Sequence, residues 1–395
     1  MRHFLGGLGA VLTLTLILLF VWPERRAEAT VDPNVYLGQH AGQVKMSNPQ
    51  AATDTAGIYN GGRYYYGTLT SRIYATPIRF DTLVPSWNAA TPAGTWVQLK
   101  VKVRSFGQWS EWLDMGVWAG GTASVKRHST YVQPDPNWRV ATDAVVSRYG
   151  ATADAYRYEL RLMATEPTLS PTVSKVSFVS SNSYRHGEFL GIAPLEAAWG
   201  VNLPVPARSQ MVYAGGGEAW CSPTSLSMVM AYWAGRTGQP WLDQGVPAVA
   251  AGTYDYAYEG WGNWPFNTAY ASEYGLEATV SRFGAIEQVE RWIEAGIPVI
   301  ASIAWDNSVS GQQLAGAPLT WSDGHLLVIR GFTASGDVIV NDPAAGSNAA
   351  VPRVYTRNEF SRAWFRNPNS SGGIVYLIHP AGWATPGSYA AEGAW

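Results

Sequence analysis

The chain has 395 residues with 27 basic and 29 acidic side chains and no basic cluster, which argues against nucleic acid as a partner. A single cysteine excludes an intramolecular disulfide, and one Cys with six scattered His argues against a Cys/His metal site. Aromatics reach 13%, with 19 Trp; in an all-β core they are packing residues, on a surface they stack on sugars or peptides.

Arg2 and His3 precede an apolar run from Phe4 to Trp22, and Ala27-Glu28-Ala29 gives a small-x-small cleavage pattern. Residues 1–29 therefore read as a secretory signal cut after Ala29, and the protein as secreted or extracytoplasmic. Left uncut, the run would serve as an N-terminal anchor, the one membrane contact the sequence offers. Arg25 and Arg26 beyond it argue against simple anchoring with the N-terminus inside. The roughly 365 residues that remain suit two domains.

Residues 30–62 are rich in Gly, Ala, Asn, Thr and Gln and read as a loosely ordered lead-in. Residues 63–182 are strand-like. Trp96–Arg104 and Tyr156–Leu162 alternate apolar and polar without a break, and shorter candidates lie at Ser71–Tyr74, Pro77–Val84, Val140–Val146 and Val173–Val179. Short strands between turn residues predict an all-β, sandwich-like accessory domain. It holds no constellation of acid, base and nucleophile; His128 and Asp143 read as lone surface groups, and the domain as one for binding or positioning. Contact with cell wall or carbohydrate is the functional reading of its aromatics.

Residues 183–199 read as a linker, and the texture changes over 200–395. Leu226, Val229, Met230 and Trp233 fall on one helical stripe, with Gly235 expected as its left-handed cap. Ile286, Val289 and Ile293 mark a second helix ending at Gly296, Asn267–Tyr274 a third, and Thr356-Arg357-Asn358-Glu359 has capping-box spacing. Strands are expected at 299–305, 326–332, 338–341 and 374–378, an α+β arrangement.

Cys221 stands just before the first of these helices, with Pro223 in the first turn. The unpaired N–H groups and dipole at a helix start favour a thiolate. The plain reading is a buried structural cysteine, so its partners matter. His325 opens the strand Leu326–Phe332, and Thr333–Asp337 is a turn leading to a return strand that ends at Asp342-Pro343. A hairpin centred between Ala334 and Ser335 sets Asp342 opposite Leu327 and diagonal to His325; a slip of two residues sets it opposite His325. Either way the carboxylate can fix the imidazole tautomer and aim the other nitrogen at a thiol.

Ser209-Gln210, Trp220-Cys221-Ser222-Pro223-Thr224-Ser225, Gly324-His325-Leu326-Leu327-Val328-Ile329-Arg330-Gly331-Phe332 and Val340-Asn341-Asp342-Pro343 together resemble the papain-like cysteine peptidases of family C39, in the secreted C39-like branch. The resemblance covers roughly 200–380. It implies an α+β papain-like domain, a Cys221–His325–Asp342 triad acting on peptide or protein substrates, and no metal or organic cofactor. It also implies an oxyanion role for Gln210, although Gly215-Gly216-Gly217 lengthens the gap before Cys221 to roughly twice the family's usual one. No transporter is fused to this chain, so double-glycine specificity is not carried over.

Two other functions fit the same residues. One is a cell-wall amidase or transglutaminase-like acyl transferase on the same triad. The other is an exported adhesion or binding protein with a vestigial triad, favoured by the strand-rich N-terminal half and the Trp content.

Overall fold

The computed structural model describes residues 34–130, 134–183 and 192–386. The apolar run and cleavage pattern of residues 1–29 lie outside them. The architecture is two-domain and strand-rich, with few helices. Among the described residues no helix is long and apolar enough to cross a membrane.

The N-terminal domain is built from strands β1 (Val35–Lys45), β2 (Gln50–Thr53), β3 (Arg63–Thr70), β4 (Tyr74–Phe80), β5 (Thr82–Ala90), β6 (Thr95–Ser105), β7 (Gln108–Trp109), β8 (Leu113–Trp118), β9 (Trp138–Ala141), β10 (Ala144–Ser147), β11 (Ala153–Ala164) and β12 (Thr172–Ser181). One sheet runs β1-β12-β5-β10-β9; the other runs β2-β3-β11-β6-β7, with β4 on β11 and β8 on β6. The two alternating stretches are its longest pair, β6 and β11, antiparallel from Arg104↔Ala155 to Thr95↔Ala164. The sheets share one core, in which the rings of Tyr156 and Phe178 lie 4.7 Å apart. Trp87, Trp96, Trp118 and Trp138 are buried, which accounts for much of this domain's aromatic content by packing.

The expected lead-in at 30–62 is corrected by β1 and β2. β1 pairs with β12 from Val35↔Ser181 to Lys45↔Thr172, yet buries few side chains. A strand held mainly by its main chain has no apolar alternation to read.

The C-terminal domain contains α1 (Cys221–Thr237), α2 (Val246–Thr253), α3 (Trp264–Glu273), β13 (Leu276–Arg282), α4 (Ile286–Glu294), β14 (Val299–Asp306), β15 (Trp321–Phe332), β16 (Val338–Asn341), β17 (Pro352–Tyr355), α5 (Arg357–Ser361) and β18 (Ile374–Pro380). Its sheet runs β13-β18-β14-β15-β16-β17. α1 is not a surface helix with one apolar stripe: Ser222 to Ala234 are all buried. Three of its serines are satisfied inside: Ser222 pairs with the Tyr376 hydroxyl at 3.0 Å, Ser225 donates to the Leu326 carbonyl at 3.0 Å, and Ser227 to the Gln244 carbonyl at 2.8 Å. The helix runs through Gly235, which costs only about 1 kcal/mol, and is capped instead by Gly238 at φ 69°. α2, β13 and β17 had no separate expectation. The second half of the expected linker is docked: Glu290 accepts from the Leu195 N–H at 2.7 Å and from the Trp199 indole at 2.7 Å.

The domains meet along β5, β13 and α3. Asn88 donates to the Ala278 carbonyl at 2.5 Å and accepts from its N–H at 3.1 Å, while Ser86 Oγ accepts from the Val280 N–H at 3.1 Å. Phe266 of α3 has its ring 6.2 Å from Trp87 and 5.3 Å from Trp118, closing the end of the sandwich core. Asp255, fully buried, accepts from the Ser129 N–H of the first domain and from Asn263, Ala257 and Tyr258 of the second.

Candidate active site

Cys221 is the first residue of α1 and remains partly accessible. Trp220, the N-cap, offers no side-chain cap, so first-turn N–H groups are left without an internal acceptor. β15 packs against this end of α1, and the Ser225 hydroxyl donates to the Leu326 carbonyl at 3.0 Å. The Cys221 sulfur lies beside His325 and the main chain of Leu326 and Ser222, near enough for all three to favour the thiolate.

His325 is 2% exposed, with the Trp305 ring edge-on at 5.4 Å. Its Nε2–H donates to Asp342 Oδ1 at 2.8 Å, which leaves Nδ1 for the thiol. Asp342 is fully buried; Oδ1 also accepts from the Ala344 N–H at 3.0 Å and Oδ2 from the Tyr355 hydroxyl at 2.7 Å. The hairpin register gives this arrangement: Val328↔Asn341 and Ile329↔Val340 set Asp342 diagonal to His325, as the unslipped hairpin predicts. The turn end is shifted by an irregularity between Ile329 and Gly331. β15 starts at Trp321, so His325 lies inside the strand rather than opening it.

The charges are coupled. Burial alone would push the Cys221 thiol up, but His325 and its charge, with the Leu326 and Ser222 main chain, hold it below its usual value. Burial alone would depress His325, but the Asp342 carboxylate and then the Cys221 sulfur raise it to about 10. Asp342 is held below the usual carboxylate range despite burial, by His325, Tyr355 and Ala344. A thiolate, an imidazolium and a carboxylate in series is the protonation state these shifts favour.

Gln210 opens a short 3-10 turn and is 2% exposed. Its main-chain N–H donates to the Pro343 carbonyl at 2.9 Å, and its Nε2 to the Glu218 carbonyl at 2.8 Å. The glycines between Gln210 and Cys221 loop outward and return: Gly215 and Gly216 have φ 80° and 127°. Gly217 lies against the Gln210 carbonyl, where a Cβ would come within 2.2 Å. The long gap is thus absorbed in a loop.

The other carboxylate and amide near His325 point elsewhere: Asn341 donates to the Val205 carbonyl at 3.1 Å, and Asp323 accepts from Asn369 at 2.7 Å. His379 donates from Nδ1 to the Pro380 carbonyl, 3.0 Å away, and sits on β18 opposite Glu277. Among the described residues no group of three or more His, Cys, Asp or Glu is arranged to hold a metal ion. Tyr355, the second donor to Asp342, was not expected; a Tyr thirteen residues downstream carries no local signal.

Residues 202–371 match the model of the Peptidase C39 like family, and residues 22–181 that of the Peptidase C39 N-terminal domain. The first of these matches assigns residues 202–371 to the C39-like peptidase family. Among solved structures it resembles a protein described as a C39-like peptidase from Bacillus anthracis, at 16% identity and TM-score 0.33, over 45% of this chain and 96% of that one. An infectious bursal disease virus Gx strain structure follows at 10% identity and TM-score 0.21, over 38% and 33%. At these scores neither defines the fold. No curated protein matches the sequence. The N-terminal match takes in the β1–β2 segment as part of its domain.

Proposed function

We propose that this protein is an exported cysteine peptidase that cleaves peptide bonds with Cys221, His325 and Asp342. The observation that carries the reading is the buried His325, beside the Cys221 sulfur and bonded through Nε2 to Asp342 Oδ1 at 2.8 Å. The match of residues 202–371 to a peptidase family supports a peptide or protein substrate. Export is supported by the apolar run and small-x-small pattern of residues 1–29. A papain-like arrangement is supported by the nucleophile at the start of α1 and the histidine on the adjoining antiparallel sheet.

In the first step the thiolate attacks the substrate carbonyl and its electrons move to the oxygen. The Cys221 main-chain N–H, at the first helical position, faces that oxyanion. Gln210 Nε2 gives one hydrogen to Glu218 and keeps a second for the same purpose. Removing such a donor typically lowers the rate by ~10²–10³. The His325 imidazolium then protonates the leaving amine as the C–N bond breaks. Water, deprotonated by His325, hydrolyses the thioester and restores the thiol.

The test is incubation of the purified protein with a quenched fluorescent peptide mixture and a labelled amine. Hydrolysis by the wild type, lost in Cys221→Ala, is expected. Stable amine incorporation in place of hydrolysis would assign an acyl transferase instead. Alkylation of Cys221 no faster than a model thiol, with no turnover, would leave a binding protein.

A further inference from the structure

A cavity of about 390 Å³ opens between the two domains, lined by Gly324 and Leu326, the chain neighbours of His325. The N-terminal domain supplies Asp143, from the tight β9–β10 turn, where Thr142 has φ 59° and the Asp143 N–H closes on the Ala141 carbonyl at 2.6 Å. Read from sequence, Asp143 is a lone surface carboxylate; folded, it is set in the wall of the cleft. One of its oxygens accepts from the Trp264 N–H at 3.1 Å, and the other accepts no hydrogen bond from another residue. Ser302, 4% exposed, also lines the cavity, and among the described residues its hydroxyl makes no hydrogen bond. Asp323 lies on the exposed rim. Among the described residues no Lys, Arg or His lines this space.

We propose that this cavity is a substrate subsite that takes a cationic side chain, Lys or Arg, of the peptide near the scissile bond, with Asp143 as its counter-ion. The proposal rests on the peptidase reading and names what that peptidase selects. Three features carry it. The space holds two carboxyl groups and no compensating cation, so an entering acidic side chain meets like charge and an entering cation meets its opposite. The unpaired Ser302 hydroxyl supplies an acceptor for an ammonium or guanidinium N–H. The Tyr258 and Trp264 side chains offer apolar wall for the alkyl stem of Lys or Arg. Burial pushes the Asp143 carboxyl up to about 7, against the pull of the Trp264 N–H, so a bound cation would be the partner that draws it fully into its ionised form. The accessory domain would then take part in choosing the substrate, through one residue in one turn.

The experiment uses the full chain and end-blocked quenched peptides in which one position at a time around the scissile bond carries Lys, Arg, norleucine, citrulline or Glu. At one position kcat/KM for Lys and Arg is expected to exceed that for norleucine and citrulline by at least about tenfold, with Glu slowest. Asp143→Asn is expected to collapse that ratio, Asp323→Asn to lower it less, and Asp143→Lys to make Glu the favoured residue. A wild-type profile indifferent to charge at every position overturns the subsite, as does a cation preference that survives in a folded Asp143→Asn. If the Asp143 variants do not fold, the wild-type profile alone decides. Cleavage of no peptide at all overturns the peptidase reading and the subsite with it, an outcome distinct from cleavage without charge preference.

Discussion

The Nε2 of His325 lies 2.8 Å from Oδ1 of Asp342, and both side chains are shut away from solvent. Replacing the carboxylate with an amide should keep that hydrogen bond, because the Asn oxygen still accepts from the imidazole and the Tyr355 hydroxyl can turn to accept from the amide. The lost charge should lower the His325 pKa and raise that of Cys221. For Asp342→Asn the acid limb of the kcat/KM profile should therefore move up and the alkaline limb down, with substantial activity at the narrowed optimum. Asp342→Ala should be at least tenfold worse, since nothing then holds the ring. Profiles measured against pH decide; equal and small effects would reduce Asp342 to a turn residue before Pro343.

Tyr355 should matter through Asp342. Its hydroxyl is one of two donors from outside His325 that hold the buried carboxylate. Tyr355→Phe removes that donor and leaves the oxygen without it, a loss of about 1–3 kcal/mol in stability. A urea titration at neutral pH checks this. Its kcat/KM should fall less than that of Asp342→Ala, because the His325 contact survives.

Alkylation tests the thiol directly. With the Cys221 pKa held down, chiefly by His325 against burial, iodoacetamide should react with the wild type at mildly acidic pH faster than with a model thiol. His325→Ala should shift that reactivity to alkaline pH and abolish hydrolysis. His379→Ala should leave both intact, since its contact is with Pro380. Cys221→Ala should lose hydrolysis and keep its melting temperature within a few degrees. If the two histidines behave the other way round, the site is elsewhere.

Asp255 ties the loop that carries Tyr258 to the first domain, through the Ser129 N–H at 2.9 Å and Asn263 Nδ2 at 2.9 Å. Asp255→Ala strands several buried donors at once and should cost about 2–4 kcal/mol. Amide exchange at Ala257 and Tyr258 should rise with it. Unchanged exchange at both positions would show that the loop is held by other contacts.

Acid should loosen the N-terminal domain through His40. Its Nε2 lies 2.8 Å from the Tyr156 hydroxyl and its ring stacks on Tyr74 at 3.7 Å. Burial, and then the Arg72 charge, lower its pKa to about 4 from 6.5. The unfolded chain therefore takes up the proton first, so stability from this group is present above pH 6.5 and is lost as pH falls towards 4. His40→Gln should flatten the slope of unfolding free energy over that window. The same slope in both proteins would assign the acid sensitivity to other groups.

The candidate site was legible because its three residues announce themselves locally: a lone Cys before a proline-bearing helix start, a His in an apolar strand, and an Asp where the return strand meets Pro343. The register that joins the last two follows from a short turn, and the irregularity between Ile329 and Gly331 falls beyond the site. β1 was not legible, because it is held by main-chain pairing to a distant strand, from Val35↔Ser181 to Lys45↔Thr172. Nor was α1's burial on every side, since its inward Ser222 and Ser225 look polar until their partners on β18 and β15 are known. Asp143 and Tyr355 gain their meaning only from tertiary contacts, and no spacing in the chain marks them.

β13 ends its sheet, with β18 on one side and no strand on the other. The main-chain groups of Ala278 and Val280 on that free side are taken by Asn88 and Ser86. Amide-like and hydroxyl side chains here do the work of a missing neighbouring strand, and they belong to the other domain. Cut away from its partner, the C-terminal half would present a bare, apolar β-edge, the kind of template on which copies pair and aggregate. The N-terminal domain therefore also covers an exposed β-edge, a role quite apart from any part in choosing substrate.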